Sequence, residues 1–188
     1  MNKTVAIRYG DHSDRDEMIE DALLSLGVVH YEINKTIKGA PEIYEMDPET
    51  GFAIRKIWMS ISHSTHHSFG IIKKTKAVIA VSLDHPVGID MERENRKIGI
   101  RPVRILSKQE MMVYNSCKGS CSSDTLNSLM ITFWTMKEAM LKSRGTGINT
   151  SLSGCCSVKE MKGGKINLFR KDGFIISLYL GDFEPNAG

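Results

Sequence analysis

The chain has 188 residues, a formal net charge of +3 and 7% aromatic residues. This length suits one domain or two small halves that share a core, while the mild charge and the few aromatic residues argue against nucleic-acid binding. No apolar run approaches a membrane span, and the start lacks the apolar region of a signal peptide, so we expect a soluble cytoplasmic protein.

The first part of the chain predicts a β-α-β pattern. Apolar residues predict strands over 3–9 and 28–33, separated by a helix over 13–26 that begins with a serine cap. The following region, 34–56, is rich in Lys, Pro, Gly and Asp, which is typical of a loop with room for one hairpin. His12 is interpreted as a surface or core residue rather than a ligand.

The middle of the chain predicts two strands and two helices. The apolar run 77–81 predicts a buried strand, and the alternation of apolar and polar residues over 86–92 predicts a half-buried one. A short helix is predicted over 101–105. Ser107 follows, with Glu110 three residues later, and this capping box predicts the start of a second helix.

The last part of the chain contains the longest predicted helix. Residues 117–124 are rich in Gly, Ser and Lys, which is typical of a mobile loop, and an apolar stripe that begins at Leu126 then predicts a long central helix. Gly145 ends this helix, because glycine readily adopts the left-handed conformation. Three strands are predicted after it, over 154–158, 165–169 and 174–180. The pattern as a whole predicts an α+β protein with a mostly antiparallel sheet.

The central helix carries a carboxylate and an ammonium group one turn apart. Glu138 and Lys142 are four residues apart, and they share a stripe of the helix with Trp134. Taken alone, this spacing is typical of an exposed ion pair that contributes roughly 0.2–0.5 kcal/mol.

Two further carboxylates lie on one face of the strand predicted over 86–92. Asp90 and Glu92 are separated by one residue, and the period of a strand turns both side chains the same way. Two like charges this close raise a pKa unless a cation lies between them, and Mg²⁺ takes one or two carboxylates together with waters and phosphate oxygens. Asp90, Glu92 and Glu138 are therefore candidate magnesium ligands, although a bare Asp-x-Glu is also typical of a solvated strand face.

A third motif favours a functional interpretation of the first two. Ser-Ile-Ser-His-Ser at 60–64 precedes Gly-Ile-Asp-Met-Glu at 88–92 and Phe-Trp-Thr-Met-Lys-Glu-Ala at 133–139, which Lys142 follows. In this order the motifs resemble those of the 4′-phosphopantetheinyl transferase family, and more closely its two-lobed, surfactin-synthetase-activating type. The resemblance covers about residues 60–160.

The resemblance implies a fold of two pseudo-symmetric α/β halves with mostly antiparallel sheets. We expect residues 1–85 to form a shortened N-terminal half that contributes the His63 motif, and residues 86–188 to form a C-terminal half with the metal and catalytic motifs. Ala40 stands where the Gly-Lys-Pro motif of the family has a lysine, so the residues that bind the adenosine 3′-phosphate and adenine stay open.

The resemblance also implies an activity. The protein would transfer the 4′-phosphopantetheine arm from coenzyme A to a serine of an apo acyl or peptidyl carrier protein and release 3′,5′-ADP. Asp90, Glu92 and Glu138 would bind Mg²⁺, or Mn²⁺ in its place. Glu138 would also take the serine proton, either directly or through a metal-bound water.

Basic residues would bind the phosphates of coenzyme A. Lys142 and His63 are implied to act in catalysis together with Glu138, Lys142 at the pyrophosphate and His63 at a phosphate. Lys137 and Lys38 are further candidates for contacts with coenzyme A.

A basic segment predicts where the carrier protein docks. Residues Arg93–Lys108 carry six basic residues and one acid, Glu94, and such a segment would face an acidic carrier, although a solvated helix face explains it equally well. We expect a monomer that binds neither nucleic acid nor membrane. Two other functions stay open: a non-catalytic protein that binds coenzyme A or a carrier, and a metal-dependent phosphohydrolase.

Overall fold

The computed structural model describes residues 4–36, 41–66, 74–146 and 152–182. Within these ranges the protein is a mixed α+β structure with antiparallel sheets, which confirms the predicted fold class. The chain forms two compact units. The first comprises the described residues up to Gly88 and those from Leu180 onwards, and the second comprises Ile89–Tyr179.

The described part of the first unit consists mainly of strands. Its elements are β1 (Val5–Asp11), α1 (Arg15–Leu24), β2 (Tyr31–Lys35), β3 (Pro41–Met46), β4 (Ala53–His66) and β5 (Lys74–Ser82). The strands form one antiparallel sheet in the order β1-β5-β4-β3-β2. Helix α1 packs on β1 and β5, and its buried Leu23 joins Ile43, Ile57 and Ile79 in an apolar core.

The region 34–56, expected to be a loop with room for one hairpin, contains such a hairpin. It is formed by β3 and the start of β4, where Ile43 and Ile57 pair across the strands and are both buried. Ion pairs between the same strands, such as that of Lys56 with Glu42, use part of the charge of this polar stretch. The predicted serine cap is wrong, since a 3-10 turn over His12–Asp14 precedes α1 and the N-cap residue of α1 makes no side-chain capping hydrogen bond.

The second unit combines a small sheet with four helices in its described residues. Its elements are most of β6 (Val87–Arg93), which begins two residues before the unit, followed by α2 (Pro102–Ile105), α3 (Lys108–Lys118), α4 (Ser123–Ser143), α5 (Ser157–Lys162), β7 (Ile166–Lys171) and β8 (Phe174–Leu180), which ends one residue after it. The sheet has the order β6-β8-β7, and β7 and β8 are antiparallel. Met136, Ala139 and Met140 of α4 pack in one apolar cluster with Ile166 of β7 and Tyr179 of β8.

Local signals predicted the ends of the helices in the second unit. The capping box is confirmed, because the Ser107 side chain accepts from the Glu110 backbone while the Glu110 carboxylate accepts from the Ser107 N–H. The central helix ends as predicted before Gly145, whose φ is +63°. Among the described residues, no helix combines the length and the apolar character that a membrane span requires.

Two other predictions for the second unit differ from the structure. The expected loop over 117–124 is present but shorter, since α3 reaches Lys118 and α4 begins at Ser123. The expected strand over 154–158 is the end of a 3-10 turn followed by the start of α5. The start of α5 is fixed by a distant partner, because both the N–H and the hydroxyl of Ser157 donate to the carboxylate of Glu110.

Candidate active site

Three carboxylates from two elements of the second unit influence one another. Asp90 and Glu92 lie on β6, and Glu138 lies on α4; we call these three residues the acidic cluster. Burial raises the pKa of Glu138 to about 7, with repulsion from Asp90 and Glu92 adding to the rise and Lys142 opposing it. Burial and then repulsion from Asp90 also raise the pKa of Glu92. The folded chain thus brings together the two acidic motifs.

Two basic side chains neutralise part of this charge. Lys142 Nζ donates to Asp90 Oδ1 at 2.8 Å and to the carbonyl oxygen of Ile89 at 3.1 Å. Arg96 forms an ion pair with Glu92. The simplest interpretation of the spacing in the helix, an exposed pair of Glu138 with Lys142, is therefore replaced by a contact of Lys142 with the neighbouring strand.

The donor chemistry of the acidic cluster fits a divalent metal. Carboxylate oxygens are the hard ligands that Mg²⁺ prefers, and Glu138 Oε1 is buried without a hydrogen-bond partner among the described residues. A buried carboxylate oxygen in that state is expected to take a partner or a proton, and a cation is one such partner. In the described ranges, however, no three His, Cys, Asp or Glu side chains already form a group that could hold a metal. The ligand set thus stays a prediction.

Lys137 has a different place from the one expected. Its side chain is fully buried, and Nζ forms an ion pair with Glu110 Oε2 at 2.6 Å. Nζ also donates to the carbonyl oxygens of Leu152, at 2.7 Å, and Cys155, at 2.6 Å. These three contacts match the three donors of an ammonium group, so Lys137 supports the structure and we leave it out of the proposed substrate site.

The partner of Lys137 is equally well satisfied. Burial acts to raise the pKa of Glu110, but hydrogen bonds from Lys137, Ser157 and Ser107 outweigh it and the pKa is lowered. The capping box placed Glu110 at the start of α3, but no local signal links it to Lys137 or to the turn before α5. The spacing of residues within one helix does not predict contacts with residues of other elements.

A pair of buried hydroxyls fixes α4 against the sheet. Thr135 Oγ1 and Ser177 Oγ share a hydrogen bond of 2.7 Å, and both residues are fully buried. Thr135 lies three residues before Glu138, so this contact holds the same part of α4 that carries the carboxylate. No motif in the sequence marks either hydroxyl.

The other expected phosphate ligands belong to the first unit or lie outside the described residues. His63 lies on β4 opposite Ala77 of β5, and its side chain is exposed. Its ring makes an edge-on contact with the ring of His12, with the centroids 4.9 Å apart. Lys38 lies outside the described residues. The roles expected for His63 and Lys38 therefore stay predictions.

The basic segment divides into two parts. Its first three basic residues contact other groups of the second unit: Arg93 lies over the ring of Phe174 at 5.6 Å, Arg96 pairs with Glu92, and Lys97 pairs with Asp124 at 3.8 Å. Its last three basic residues are exposed; they are Arg101, Arg104 and Lys108. Exposed apolar side chains lie in the same stretch of α2 and α3, namely Val103, which is 66% exposed, and Met112, which is 72% exposed.

A comparison with protein families identifies the class of this chain. The family model of the 4′-phosphopantetheinyl transferase superfamily matches residues 86–184, which contain the whole acidic cluster and Lys142. Because the match covers more than half of the chain, the protein belongs to this superfamily. A comparison with curated proteins finds no match.

Proposed function

We propose that the protein transfers the 4′-phosphopantetheine arm of coenzyme A to a serine of an apo acyl or peptidyl carrier protein. Membership of the superfamily supports this reaction class. The observation that carries the proposal is the acidic cluster, in which a buried carboxylate, Glu138, faces the charges of Asp90, Glu92 and Lys142. We further propose the two-lobed, surfactin-synthetase-activating type, on the order of the three motifs.

The reaction exchanges one phosphorus–oxygen bond for another. The hydroxyl oxygen of the carrier serine attacks the phosphorus that bears the pantetheine arm, and the bond from that phosphorus to the bridging oxygen of the diphosphate breaks. The leaving group is 3′,5′-ADP, and the serine proton passes to a base. Phosphoryl transfer of this kind depends on positioning and on neutralising charge rather than on covalent chemistry by the protein.

The acidic cluster would hold the metal that this reaction needs. Asp90 and Glu92 would bind it from β6 and Glu138 from α4. A magnesium ion bound there would neutralise the negative charge of the diphosphate.

Glu138 is the base that we propose for the serine proton. Its carboxylate lies in the acidic cluster, where burial followed by repulsion from Asp90 raises the pKa of Glu138 to about 7 in the metal-free protein, and a bound cation would favour the ionised form that accepts a proton. Lys142, one turn further along α4, would stabilise the charge that develops on the leaving group. We keep His63 and Lys38 as proposed phosphate contacts.

The exposed part of the basic segment is the proposed docking surface for the carrier. Arg101, Arg104 and Lys108 would attract an acidic carrier and steer its approach, and the exposed Val103 and Met112 offer apolar contacts beside them. The double substitution Arg101→Glu with Arg104→Glu should raise the KM for the carrier and leave the KM for coenzyme A unchanged. Lys118→Glu at the end of α3 is the matched control, and an unchanged carrier KM in the double variant would refute this surface.

The experiment that tests the function is a transfer assay followed by mass spectrometry. The protein is incubated with coenzyme A, Mg²⁺ and apo carrier proteins of the fatty-acid, polyketide and peptide-synthetase types. The expected result is a gain in carrier mass equal to one phosphopantetheine arm, together with 3′,5′-ADP. Coenzyme A binding without transfer would favour the non-catalytic alternative, and release of 3′,5′-ADP without a carrier would favour the phosphohydrolase.

A further inference from the structure

Arg96 occupies a position at the acidic cluster that the basic segment alone did not predict. Its guanidinium group pairs with Glu92, and its Cζ lies 5.8 Å from the centre of the Trp134 ring. Its backbone is held separately, because Asn127 Nδ2 donates to the carbonyl oxygen of Arg96 at 2.8 Å. The backbone is thus anchored to α4 while the side chain lies between a carboxylate and an aromatic face.

The charge of Arg96 acts on more than one member of the cluster. Burial and repulsion from Asp90 raise the pKa of Glu92, and Arg96 is the strongest opposing charge. The rise in the pKa of Glu138, which burial and Asp90 cause, is also opposed by Lys142 and then by Arg96. Arg96 therefore supplies positive charge to two of the three carboxylates that we propose as metal ligands.

The contact of Arg96 with Glu92 is suited to being broken. The Arg96 side chain is 47% exposed, whereas that of Glu92 is 16% exposed. An ion pair with one exposed partner is weak, because water competes for the charge. If the guanidinium group of Arg96 left Glu92, it would stay close to the acidic cluster, because the backbone of Arg96 is anchored and the face of Trp134 attracts the cation.

We propose that Arg96 and the divalent metal compete for Glu92, so that metal binding releases a guanidinium group to the substrate diphosphate. The inference rests on the proposed function, because it assumes that the acidic cluster binds the metal. A guanidinium group suits the second role, since its planar donors match the oxygens of a phosphate. Arg96 is then a competitor of the metal at Glu92 and, once released, a ligand for the substrate.

The first measurement is the affinity for Mn²⁺ in the absence of coenzyme A, followed through the electron paramagnetic resonance signal of free Mn²⁺. Arg96→Gln removes the competitor and should bind Mn²⁺ roughly three- to fivefold more tightly than the wild type, the range expected for loss of a weak ion pair. Arg96→Lys keeps a cation at the position and should stay closer to the wild type. Lys97→Gln is the matched control, because it removes a neighbouring charge that pairs with Asp124 instead.

The second measurement is the affinity for coenzyme A at saturating Mn²⁺, determined by calorimetry. Arg96→Gln should bind coenzyme A several-fold more weakly, and Lys97→Gln should bind it as the wild type does. Equal Mn²⁺ affinity in Arg96→Gln and the wild type would overturn the competition, and equal coenzyme A affinity would overturn the released contact. A wild type that binds no Mn²⁺ at all would instead show that the proposed metal site is wrong.

Discussion

In the first unit the buried side chains are apolar or carry a hydroxyl, whereas the second unit also buries charge. All the charged side chains that are buried in the described residues belong to the second unit, and they are Asp90, Glu110, Lys137 and Glu138. The first unit keeps its cross-strand ion pairs, such as that of Lys56 with Glu42, at partly exposed positions. Burial of charge costs free energy unless the charge is paired and hydrogen-bonded.

The second unit pairs its buried charges completely at one position and incompletely at another. Glu110 and Lys137 satisfy each other and the backbone around them, so their charges hold α3, α4 and the start of α5 in place. The acidic cluster lacks this complete pairing, because Glu138 Oε1 has no hydrogen-bond partner in the described part of the chain. Buried charge thus links three elements at one position and leaves a carboxyl group with a raised pKa one residue further along α4.

The largest expected effect comes from removing the charge of Glu138. In Glu138→Gln the transfer rate should fall roughly 10²- to 10⁴-fold, the range for loss of an acid–base group, and the carrier mass assay measures this rate. Asp124→Asn is the matched control, since Asp124 lies on the same helix with its side chain 91% exposed. A wild-type rate in Glu138→Gln would place the chemistry elsewhere.

The next largest effect is on the free energy of unfolding, and it compares one ion pair from each unit. Lys137→Met leaves Glu110 buried without its cation, and the free energy of unfolding should fall by about 3–5 kcal/mol, measured by urea unfolding. Lys56→Met in the first unit breaks an ion pair whose lysine side chain is 33% exposed, and it should cost less than about 1 kcal/mol. Equal losses in the two variants would remove the difference between the units.

A double variant separates charge from packing at the same position. Glu110→Gln combined with Lys137→Met removes both charges, so it should recover part of the stability that Lys137→Met loses. No recovery would indicate that the lysine acts through its backbone contacts rather than through Glu110.

The pH dependence of stability should also differ between wild type and Glu110→Gln. The pKa of Glu110 in the folded state is lowered from 4.5, because the hydrogen bonds from Lys137 and its other partners outweigh burial. Its ionised form therefore stabilises the fold above pH 4.5, and this contribution is lost as the pH falls through the folded-state pKa. Urea unfolding from pH 7 to pH 3 should show the advantage of the wild type shrinking in acid; a constant advantage would contradict the prediction.

The smallest expected effect compares two hydroxyl pairs. Thr135→Val leaves the buried Ser177 hydroxyl without its partner and should lower the free energy of unfolding by about 1–3 kcal/mol. In the first unit, Thr65 and Thr75 share a hydrogen bond of 3.1 Å at a partly buried position, and Thr65→Val should cost less than about 1 kcal/mol because water replaces the lost partner. Thermal or urea unfolding measures both, and a larger loss in Thr65→Val would reverse the comparison.

Local rules predicted the elements whose ends depend on neighbouring residues. The capping box at Ser107 and Glu110 and the glycine after α4 each involve groups within one turn, so the sequence contains everything that decides them. The hairpin allowed within 34–56 is present as β3 and the start of β4, but the strand bounds were not predicted, because they depend on Ile43 and Ile57 pairing across the sheet. The prediction failed at α5, whose start depends on Glu110.

The candidate site likewise combines residues that the sequence predicted with contacts that it did not. The motifs identified Asp90, Glu92, Glu138 and Lys142, and the chemistry of their side chains made a metal site the natural hypothesis. The contacts of Arg96 with Glu92 and of Lys137 with Glu110 were not predicted. Side-chain type and spacing define what a residue is able to bind, but several acids and backbone oxygens compete for each cation.

The fold class, the family resemblance and the residues that we propose for phosphoryl transfer could be predicted from the sequence, because they depend on composition, period and motif order. The different surroundings of two adjacent residues on α4 became clear only in the folded chain. Lys137 is turned into a buried network while Glu138 joins the acidic cluster. The reason is physical: the pairing of charges depends on burial and on distances between segments that are remote in the chain, and no local pattern contains those distances.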